Sequence, residues 1–292
     1  MPQPKHLDPS VYSADGGPLG GLLIHGYTGS VAETRPMGEY FADRGWTVRC
    51  PLLSGHGTVP RDLTRIRWRT WANEVQATLQ DLQSRCDTVF VGGLSLGALL
   101  TLWLGSEEPE IAGLIPMAPA VQLQNRIAPL TLGLRYVLKY SPFGALEDAD
   151  LGDPEALDRI WCYDELPLWG AAEVYLLQRQ VRKALPRIQQ PILIYQGRRD
   201  AQLRSQAAQI VYDGVSSTDK TLVWLEHSGH NLLADGEREA VWGQSYDWMM
   251  KRAAGDPTPM RLRGIPGEEP QQGTEQSRPA PDTKNERTIT HA

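Results

Sequence analysis

Short apolar segments recur along most of the chain, and each is separated from the next by a polar loop or by a segment with helical periodicity. These segments are continuously apolar and do not alternate with polar residues, which is typical of strands buried on both faces. We predict strands at 19–24, 46–50, 88–91, 111–117, 191–195 and 221–225. Strands and helices that alternate in this way predict an α/β fold, in which helices cover both faces of a mainly parallel sheet.

The clearest helical segment carries apolar residues every three or four positions from Trp68 to Leu82, which predicts an amphipathic helix over 68–84. Another is predicted at 35–44, because Pro36 suits the first turn of a helix and Gly45 is a natural stop. Further helices are predicted at 97–104, 203–215 and 237–251.

One stretch, 120–190, lies between two predicted strands, contains no clear strand and is too long for an ordinary loop. It is rich in apolar and aromatic residues, and we predict three helices in it, at 127–140, 154–161 and 167–185. Such an insertion above the carboxyl ends of the strands would form a lid. We therefore predict a core made of 11–119 and 191–254, with a helical cap at 120–190.

The last part of the chain, 255–292, differs in composition from the rest. It holds six Pro and four Gly but only six residues of the apolar set, and its net charge is −1, from five basic and six acidic residues. Such a segment buries too little apolar surface to offset its ordering entropy. We predict a disordered tail.

The composition also argues against several classes of function. A net charge of −6 is unlike that of a protein that binds nucleic-acid phosphates. No apolar run approaches the ~20 residues of a membrane span, and the first ten residues lack the apolar core of an export signal. The cysteines, Cys50, Cys86 and Cys162, form no CxxC pair. We expect a cytoplasmic protein with reduced thiols, no nucleic-acid partner and no integral membrane segment; the oligomeric state stays open.

The segment 93–97 reads Gly-Leu-Ser-Leu-Gly and fits the pattern G-x-S-x-G around Ser95. The pattern alone is weak, but here it directly follows a predicted buried strand and directly precedes a predicted helix. That context is what a nucleophile elbow requires: a sharp turn that exposes a serine hydroxyl at the start of a helix. We predict Ser95 as a nucleophile.

A serine hydroxyl needs a base, and the base needs a carboxylate that orients it. His230 follows a Ser-Gly turn after the last predicted strand and is our candidate, with His227 as a competitor. Asp200 follows the strand at 191–195 and is the candidate acid, although Arg198 and Arg199 beside it offer alternative partners. The order serine, aspartate, histidine along the chain is the one expected when a nucleophile elbow lies on a sheet of this kind.

The tetrahedral intermediate of acyl transfer needs two backbone donors. The amide of Leu96, directly after the nucleophile, is one candidate. The second is the amide of Tyr27, in the glycine-containing loop 25–29 after the first strand. We interpret His25 as a histidine that braces this loop.

These motifs together resemble the α/β-hydrolases, and within them the bacterial carboxylesterase and monoacylglycerol lipase family. The matching pieces are LLIHGYTG at 22–29, SGHG at 54–57, GGLSLG at 92–97, QGRRD at 196–200 and SGH at 228–230. The resemblance implies an α/β-hydrolase fold and ester hydrolysis, with Ser95, Asp200 and His230 as the triad. The chain departs from the family pattern at two places. Ala98 stands where relatives often have a second glycine, and Ala201-Gln202-Leu203 follows the acid where relatives often carry a valine.

The expected activity is that of a serine carboxylesterase that hydrolyses short-to-medium-chain esters or monoacylglycerols through an acyl-enzyme, without a metal or other cofactor. The expected partner is a small-molecule ester. The alternatives are a thioesterase, a carbon–carbon bond hydrolase or a peptidase on the same scaffold, or a non-catalytic binding protein. Four aromatic or apolar residues of the insertion are candidates for the acyl pocket, although each fits an ordinary helix core equally well: Tyr136, Trp161, Leu166 and Trp169.

Overall fold

Seven strands form one sheet in a computed structural model that describes residues 7–125, 128–141, 151–256 and 258. All of these lie in one compact unit, Met1–Arg261. The strands are β1 (Tyr12–Ala14), β2 (Leu19–Ile24), β3 (Thr47–Cys50), β4 (Thr88–Leu94), β5 (Gly113–Met117), β6 (Ile192–Gly197) and β7 (Lys220–Leu225). Their order across the sheet is β1-β3-β2-β4-β5-β6-β7.

Every neighbouring pair is parallel except β1 with β3, which is antiparallel. Strands β2, β4, β5 and β6 are buried along almost their whole length, as their continuous apolar character predicts. The predicted mainly parallel sheet is therefore confirmed. Strand β1 was not predicted, because three residues with an exposed Ser13 in the middle carry no apolar signal.

The α-helices are α1 (Arg35–Ala42), α2 (Trp68–Gln83), α3 (Leu96–Glu107), α4 (Thr131–Leu134), α5 (Leu168–Ala184), α6 (Ala207–Gly214) and α7 (Arg238–Ala253). Helices α1 and α7 contact each other, whereas α2, α3 and α5 contact one another in a separate group. Helix α3 also contacts three central strands, β2, β4 and β5. It is buried on nearly all sides, which explains why its sequence is apolar throughout.

A row of four aromatic rings forms the core next to α1 and α7. Phe41 lies 5.9 Å from Trp46, Trp46 lies 5.8 Å from Phe90, and Phe90 lies 6.1 Å from Trp248, measured between ring centroids. All four side chains are buried. Rings at these separations pack in tilted and edge-to-face arrangements, which bury a large apolar area and fix α1 and α7 against the sheet.

The chain between β5 and β6, residues 118–191, will be called the inserted segment. Its longest helix is α5, close to the predicted helix at 167–185. The other two predicted helices were wrong in extent. A short 3-10 turn (Ala128–Leu130) and α4 replace the helix predicted at 127–140, whose first residue lies outside the described residues. A 3-10 helix (Pro154–Arg159) replaces the one at 154–161.

Helix α7 ends at Ala253, close to the predicted end of the core. The predicted disordered tail lies almost entirely outside the described residues. Among the described helices, none combines the length and the apolar character needed to cross a membrane.

Candidate active site

Ser95 occupies the turn between the end of β4 at Leu94 and the start of α3 at Leu96. Its backbone φ is +56°, a left-handed conformation that L-residues rarely adopt. The Ser95 amide donates a hydrogen bond of 2.9 Å to the carbonyl oxygen of Met117, at the end of the neighbouring strand β5. The strained turn is thus fixed by the sheet, and it places the hydroxyl at the N-terminus of a buried helix.

The two glycines that flank Ser95 allow this turn to close. A Cβ atom on Gly93 would lie 2.5 Å from the carbonyl carbon of Gly97. A Cβ atom on Gly97 would overlap the carbonyl oxygen of Ile24 and lie 2.8 Å from that of His25. Only a residue without a side chain lets the start of α3 approach the end of β2 so closely.

The loop 25–29 follows β2 and lies beside Ser95. A Cβ atom built on Gly26 would lie 3.6 Å from the Cβ of Ser95. Leu96 is the first residue of α3, and the first N–H groups of a helix have no partner within the helix. The structure therefore places the two predicted donors, Tyr27 and Leu96, on adjoining segments next to the serine.

His25 braces this loop from behind. It is completely buried; its Nδ1–H donates to the carbonyl oxygen of Gly26 at 2.8 Å, and its Nε2 accepts from the Leu53 amide at 3.1 Å. Burial lowers the pKa of His25 to about 4, so the ring is neutral at physiological pH. Because both ring nitrogens are occupied, His25 is a structural residue of the loop.

Glu33 is a functional candidate that the sequence analysis missed. Its carboxylate is buried behind the loop 25–29 and accepts hydrogen bonds from the Gly26 amide at 2.8 Å and from the Asn231 side chain at 3.3 Å. Burial raises the pKa of Glu33 to about 7, against the opposing effects of the Gly26 bond and of the nearby charge of His230. One carboxyl thus joins the loop beside Ser95 to the loop that carries His230.

Tyr27 connects the same loop to the inserted segment. Its hydroxyl donates to the carbonyl oxygen of Pro167 at 2.6 Å, and its ring packs so tightly on Gly170 that a Cβ there would lie 2.5 Å from the Tyr27 hydroxyl oxygen. The Tyr163 amide donates to the carbonyl oxygen of Thr28 at 3.0 Å. The position of the inserted segment and the conformation of this loop are therefore coupled.

Asp200 and His230 meet across the ends of β6 and β7. His230 Nδ1–H donates to Asp200 Oδ2 at 2.9 Å, and the two side chains are only 9% and 2% exposed. The Gln196 side chain donates to the same oxygen at 2.6 Å. The amides of Gln202 and Leu203 both donate to Oδ1 at 2.9 Å.

Four donors therefore hold the Asp200 carboxylate. Burial by itself raises the pKa of Asp200, but the charge and hydrogen bond of His230 and the bonds from Leu203 and Gln196 outweigh it, and the pKa lies below its usual range. The carboxylate is charged at neutral pH and fixes the proton of His230 on Nδ1, which leaves Nε2 as the basic nitrogen.

The competing residues lie elsewhere. His227 is exposed, and its Nδ1 faces a guanidinium nitrogen of Arg199 at 3.5 Å. Arg198 forms an ion pair of 3.0 Å with Glu226. Neither arginine takes the place of His230 on Asp200.

Two further buried acids, Asp235 and Glu237, shape the turn before His230. Asp235 accepts from the amides of Gly229 and Gly152, both at 2.8 Å, and so joins this turn to the inserted segment. Glu237 accepts from the Ser228 hydroxyl at 2.5 Å and from the His227 amide at 3.0 Å. Acids just before or at the start of a predicted helix look in sequence like ordinary surface or capping acids, and both were missed.

The four candidates for the acyl pocket differ in their surroundings. Trp161 is buried, with its ring 5.7 Å from Tyr163, and Leu166 is half-buried. Trp169 is half-buried and donates from its indole nitrogen to the carbonyl oxygen of Ile66 at 3.1 Å. Tyr136 is 70% exposed and packs edge-on against Trp169, so the described residues do not enclose it.

The described part of the chain contains no group of three or more side chains of His, Cys, Asp or Glu that could hold a metal ion. The arrangement instead offers a strained serine, a carboxylate-oriented imidazole and adjoining backbone amides. These are the parts required for nucleophilic acyl transfer.

The parallel sheet, the serine at the strand-to-helix turn, and the acid and histidine after β6 and β7 define the class: the chain is an α/β-hydrolase. A family model described as serine aminopeptidase, S33, matches residues 22–237. The chain belongs to this family.

Two characterised relatives are similar over most of their length. A thermostable monoacylglycerol lipase from Bacillus sp. (strain H-257) is 33% identical over 242 residues, which are 83% of this chain and 94% of that protein. A carboxylesterase from Bacillus subtilis (strain 168) is 29% identical over 249 residues, 85% of this chain and 98% of that protein. These similarities support an esterase or lipase function.

Solved structures share the fold. A chain from the study of the metagenome-derived lipolytic enzymes LipS and LipT has a TM-score of 0.74 and 28% identity, and the match covers 83% of this chain and 98% of that one. The monoacylglycerol lipase of Paleococcus ferrophilus has a TM-score of 0.70 at 17% identity, with 83% and 99% covered, and shares the fold.

Proposed function

We propose that the chain hydrolyses carboxylic esters, with Ser95 as nucleophile, His230 as general base and Asp200 as the acid that orients it. The observation that carries this proposal is the buried hydrogen bond between His230 and Asp200. A carboxylate on Nδ1 selects the tautomer in which Nε2 accepts the serine proton, and it stabilises the imidazolium that forms.

The reaction then has two halves. Ser95 Oγ attacks the ester carbonyl carbon while His230 Nε2 takes the hydroxyl proton. The oxyanion of the tetrahedral intermediate accepts hydrogen bonds from the amides of Tyr27 and Leu96. Collapse of the intermediate breaks the bond to the alcohol, which leaves with the proton from His230. Water, deprotonated by His230, then attacks the acyl carbon. The acyl–Oγ bond breaks, Ser95 Oγ takes the proton back from His230, and the carboxylic acid is released.

The proposed substrates are monoacylglycerols or esters with short-to-medium acyl chains. The similarity to a monoacylglycerol lipase and to a carboxylesterase supports both. We propose that the inserted segment is a cap over the site, because it contacts the loop 25–29 through Tyr27 and Thr28. An apolar cap favours alkyl substrates by about 25 cal/mol per Å² of apolar surface buried.

We propose a cytoplasmic location. Cys50 and Cys86 are buried free thiols, and reduced cysteines suit a reducing compartment. Cell fractionation with an antibody against the chain tests this, and recovery outside the cytoplasmic fraction would contradict it.

Two experiments test the activity. Ser95→Ala should abolish turnover of p-nitrophenyl esters and covalent labelling by a fluorophosphonate, and labelling that persists would disprove the role of Ser95.

A hydrolysis series over acyl chain length, extended to monoacylglycerols, thioesters and aminoacyl amides, separates the ester activity from its alternatives. The family description makes a peptidase the second candidate, and preferential cleavage of the amides would favour it.

A further inference from the structure

A cavity of about 540 Å³ opens between α5 and the chain segments that follow β5 and β6. One wall is a face of α5, and Arg204 contributes to the lining. The other residues that line the cavity are Gln122, Leu123, Asn125, Ala128 and Pro129. A smaller cavity of about 260 Å³ continues from Arg204 toward Ser205 and Gln206. The described residues that line these two cavities do not include Ser95, His230 or Tyr27.

Four of the residues that line the larger cavity are cations: Arg179, Arg182, Lys183 and Arg204. Its described lining contains no aspartate or glutamate. None of the four cationic side chains forms an ion pair with a described acid, whereas Arg35, Arg49 and Arg252 elsewhere do. In a chain whose net charge is −6, this is an unusual concentration of uncompensated positive charge.

The helix dipole accounts for only part of this cluster. Arg182 and Lys183 lie in the last turn of α5, where cations interact favourably with the free carbonyl groups. Arg179 lies one turn earlier and repels Lys183 at the i,i+4 spacing. Arg204 comes from a different element and is half-buried, whereas Arg179, Arg182 and Lys183 are exposed. An anion bound among the four would offset this repulsion.

Neutral polar groups complete the lining. Gln178 is buried and Tyr175 is half-buried on the same face of α5. Arginine guanidinium groups suit phosphate oxygens because they donate two parallel hydrogen bonds, and amide and hydroxyl donors satisfy the remaining oxygens. We propose that this cavity binds a phosphate group, carried either by a soluble molecule or by the headgroup of an anionic phospholipid.

The cavity adjoins the segment that holds the acid of the triad. The Arg204 amide donates to the carbonyl oxygen of Gln122 at 3.0 Å, and the Gln124 amide donates to that of Gln202 at 2.8 Å. Leu203, between them, donates its amide to Asp200. The phosphate site is thus separate from the reacting atoms but shares a wall with the Asp200 loop.

Binding is tested on the full chain by calorimetric titration with inorganic pyrophosphate at about 0.15 M salt, where non-specific attraction is screened. The double variant Arg179→Gln/Arg204→Gln should bind at least about 10-fold more weakly, because it loses two charge-assisted partners. Arg65→Gln/Arg67→Gln is the matched control: it removes two exposed arginines that lie outside the cavity and form no described ion pair. Hydrolysis of p-nitrophenyl acetate should be unchanged in both variants.

Sedimentation with vesicles of phosphatidylcholine, with and without phosphatidylglycerol, identifies the source of the phosphate. If pyrophosphate binding is saturable and is weakened in the cavity variant but not in the control variant, the result supports the site and favours a soluble ligand. If anionic vesicles capture the original chain and the control variant but not the cavity variant, the result supports the site and favours a lipid headgroup. The absence of binding to either probe, or an equal loss in both variants, would overturn the proposal.

Discussion

The carboxyl group of Glu33 accepts a hydrogen bond of 2.8 Å from the backbone amide of Gly26, the residue before the proposed oxyanion donor Tyr27. The same carboxyl reaches Asn231, the residue after His230. A Cβ on Gly29 would overlap Glu33, so the loop 25–29 wraps closely around this one side chain. Glu33 therefore sets the relative positions of the loop beside Ser95 and the loop of the base.

Replacement of Glu33 should slow the chemical step. Glu33→Ala removes the acceptor for Gly26, and the displaced loop should lower kcat by about 10-fold to 100-fold with little change in KM. Glu33→Gln keeps an acceptor oxygen and should restore most of the activity. The measurement is steady-state hydrolysis of a p-nitrophenyl ester. Equal loss in both variants would show that the charge, and not the position of the loop, is what matters.

The raised pKa of Glu33 also predicts how stability depends on pH. Its carboxyl has a pKa of about 7 in the folded chain against a reference value of 4.5, so the folded state holds the proton more tightly. Stability therefore falls as the pH rises from about 4.5 to about 7, and the loss through this one group is about 3 kcal/mol.

Urea unfolding from pH 5 to pH 8 tests this, with Glu33→Gln as the reference. The variant cannot ionise at this position, so the free energy of unfolding of the original chain should decrease relative to the variant across this window. A difference that stays constant with pH would contradict the shifted pKa.

The sheet and the candidate triad were predictable because each has a local sequence signal. Buried strands are continuous apolar runs, and Ser95, Asp200 and His230 each directly follow such a run or its turn. Strand β1 has no such run, and it is held by backbone pairing to β3. Leu130 and Leu134 have helical spacing but are exposed, so tertiary packing does not extend α4 into the long helix that the pattern suggested.

Glu33, Asp235 and Glu237 show a different limit of prediction from sequence. Each acquires its role only when the folded chain buries its carboxyl beside hydrogen-bond donors from other loops. The partners of Glu33 lie 7 and 198 positions away in sequence. No local pattern records such contacts, so these residues could be found only in the structure.

The choice between the two histidines after β7 predicts opposite results at neighbouring positions. His230→Ala removes the imidazole bound to Asp200 and should lower kcat by about 10⁴-fold or more. His227→Ala changes an exposed ring that faces Arg199 and should leave kcat within about twofold, because surface changes away from a site have small effects. Asp200→Asn should resemble His230→Ala, with a loss of about 10⁴-fold through the wrong tautomer. A large loss in His227→Ala would reverse the assignment of the base.

The close contact of Gly97 with the end of β2 predicts a large effect from one methyl group. In Gly97→Ala the new Cβ would overlap the Ile24 carbonyl oxygen, which belongs to the backbone of the last residue of a buried strand and is held in place by the sheet. The variant should be destabilised by about 3 kcal/mol, and fluorophosphonate labelling of Ser95 should slow as the elbow shifts.

The matched control is Gly243→Ala in α7, where the nearest atom, the Tyr40 hydroxyl, lies at an ordinary 3.6 Å. Alanine there should stabilise the helix by about 0.5–1 kcal/mol. Urea unfolding of both variants gives the comparison, and equal stabilities would show that the start of α3 can move away from β2.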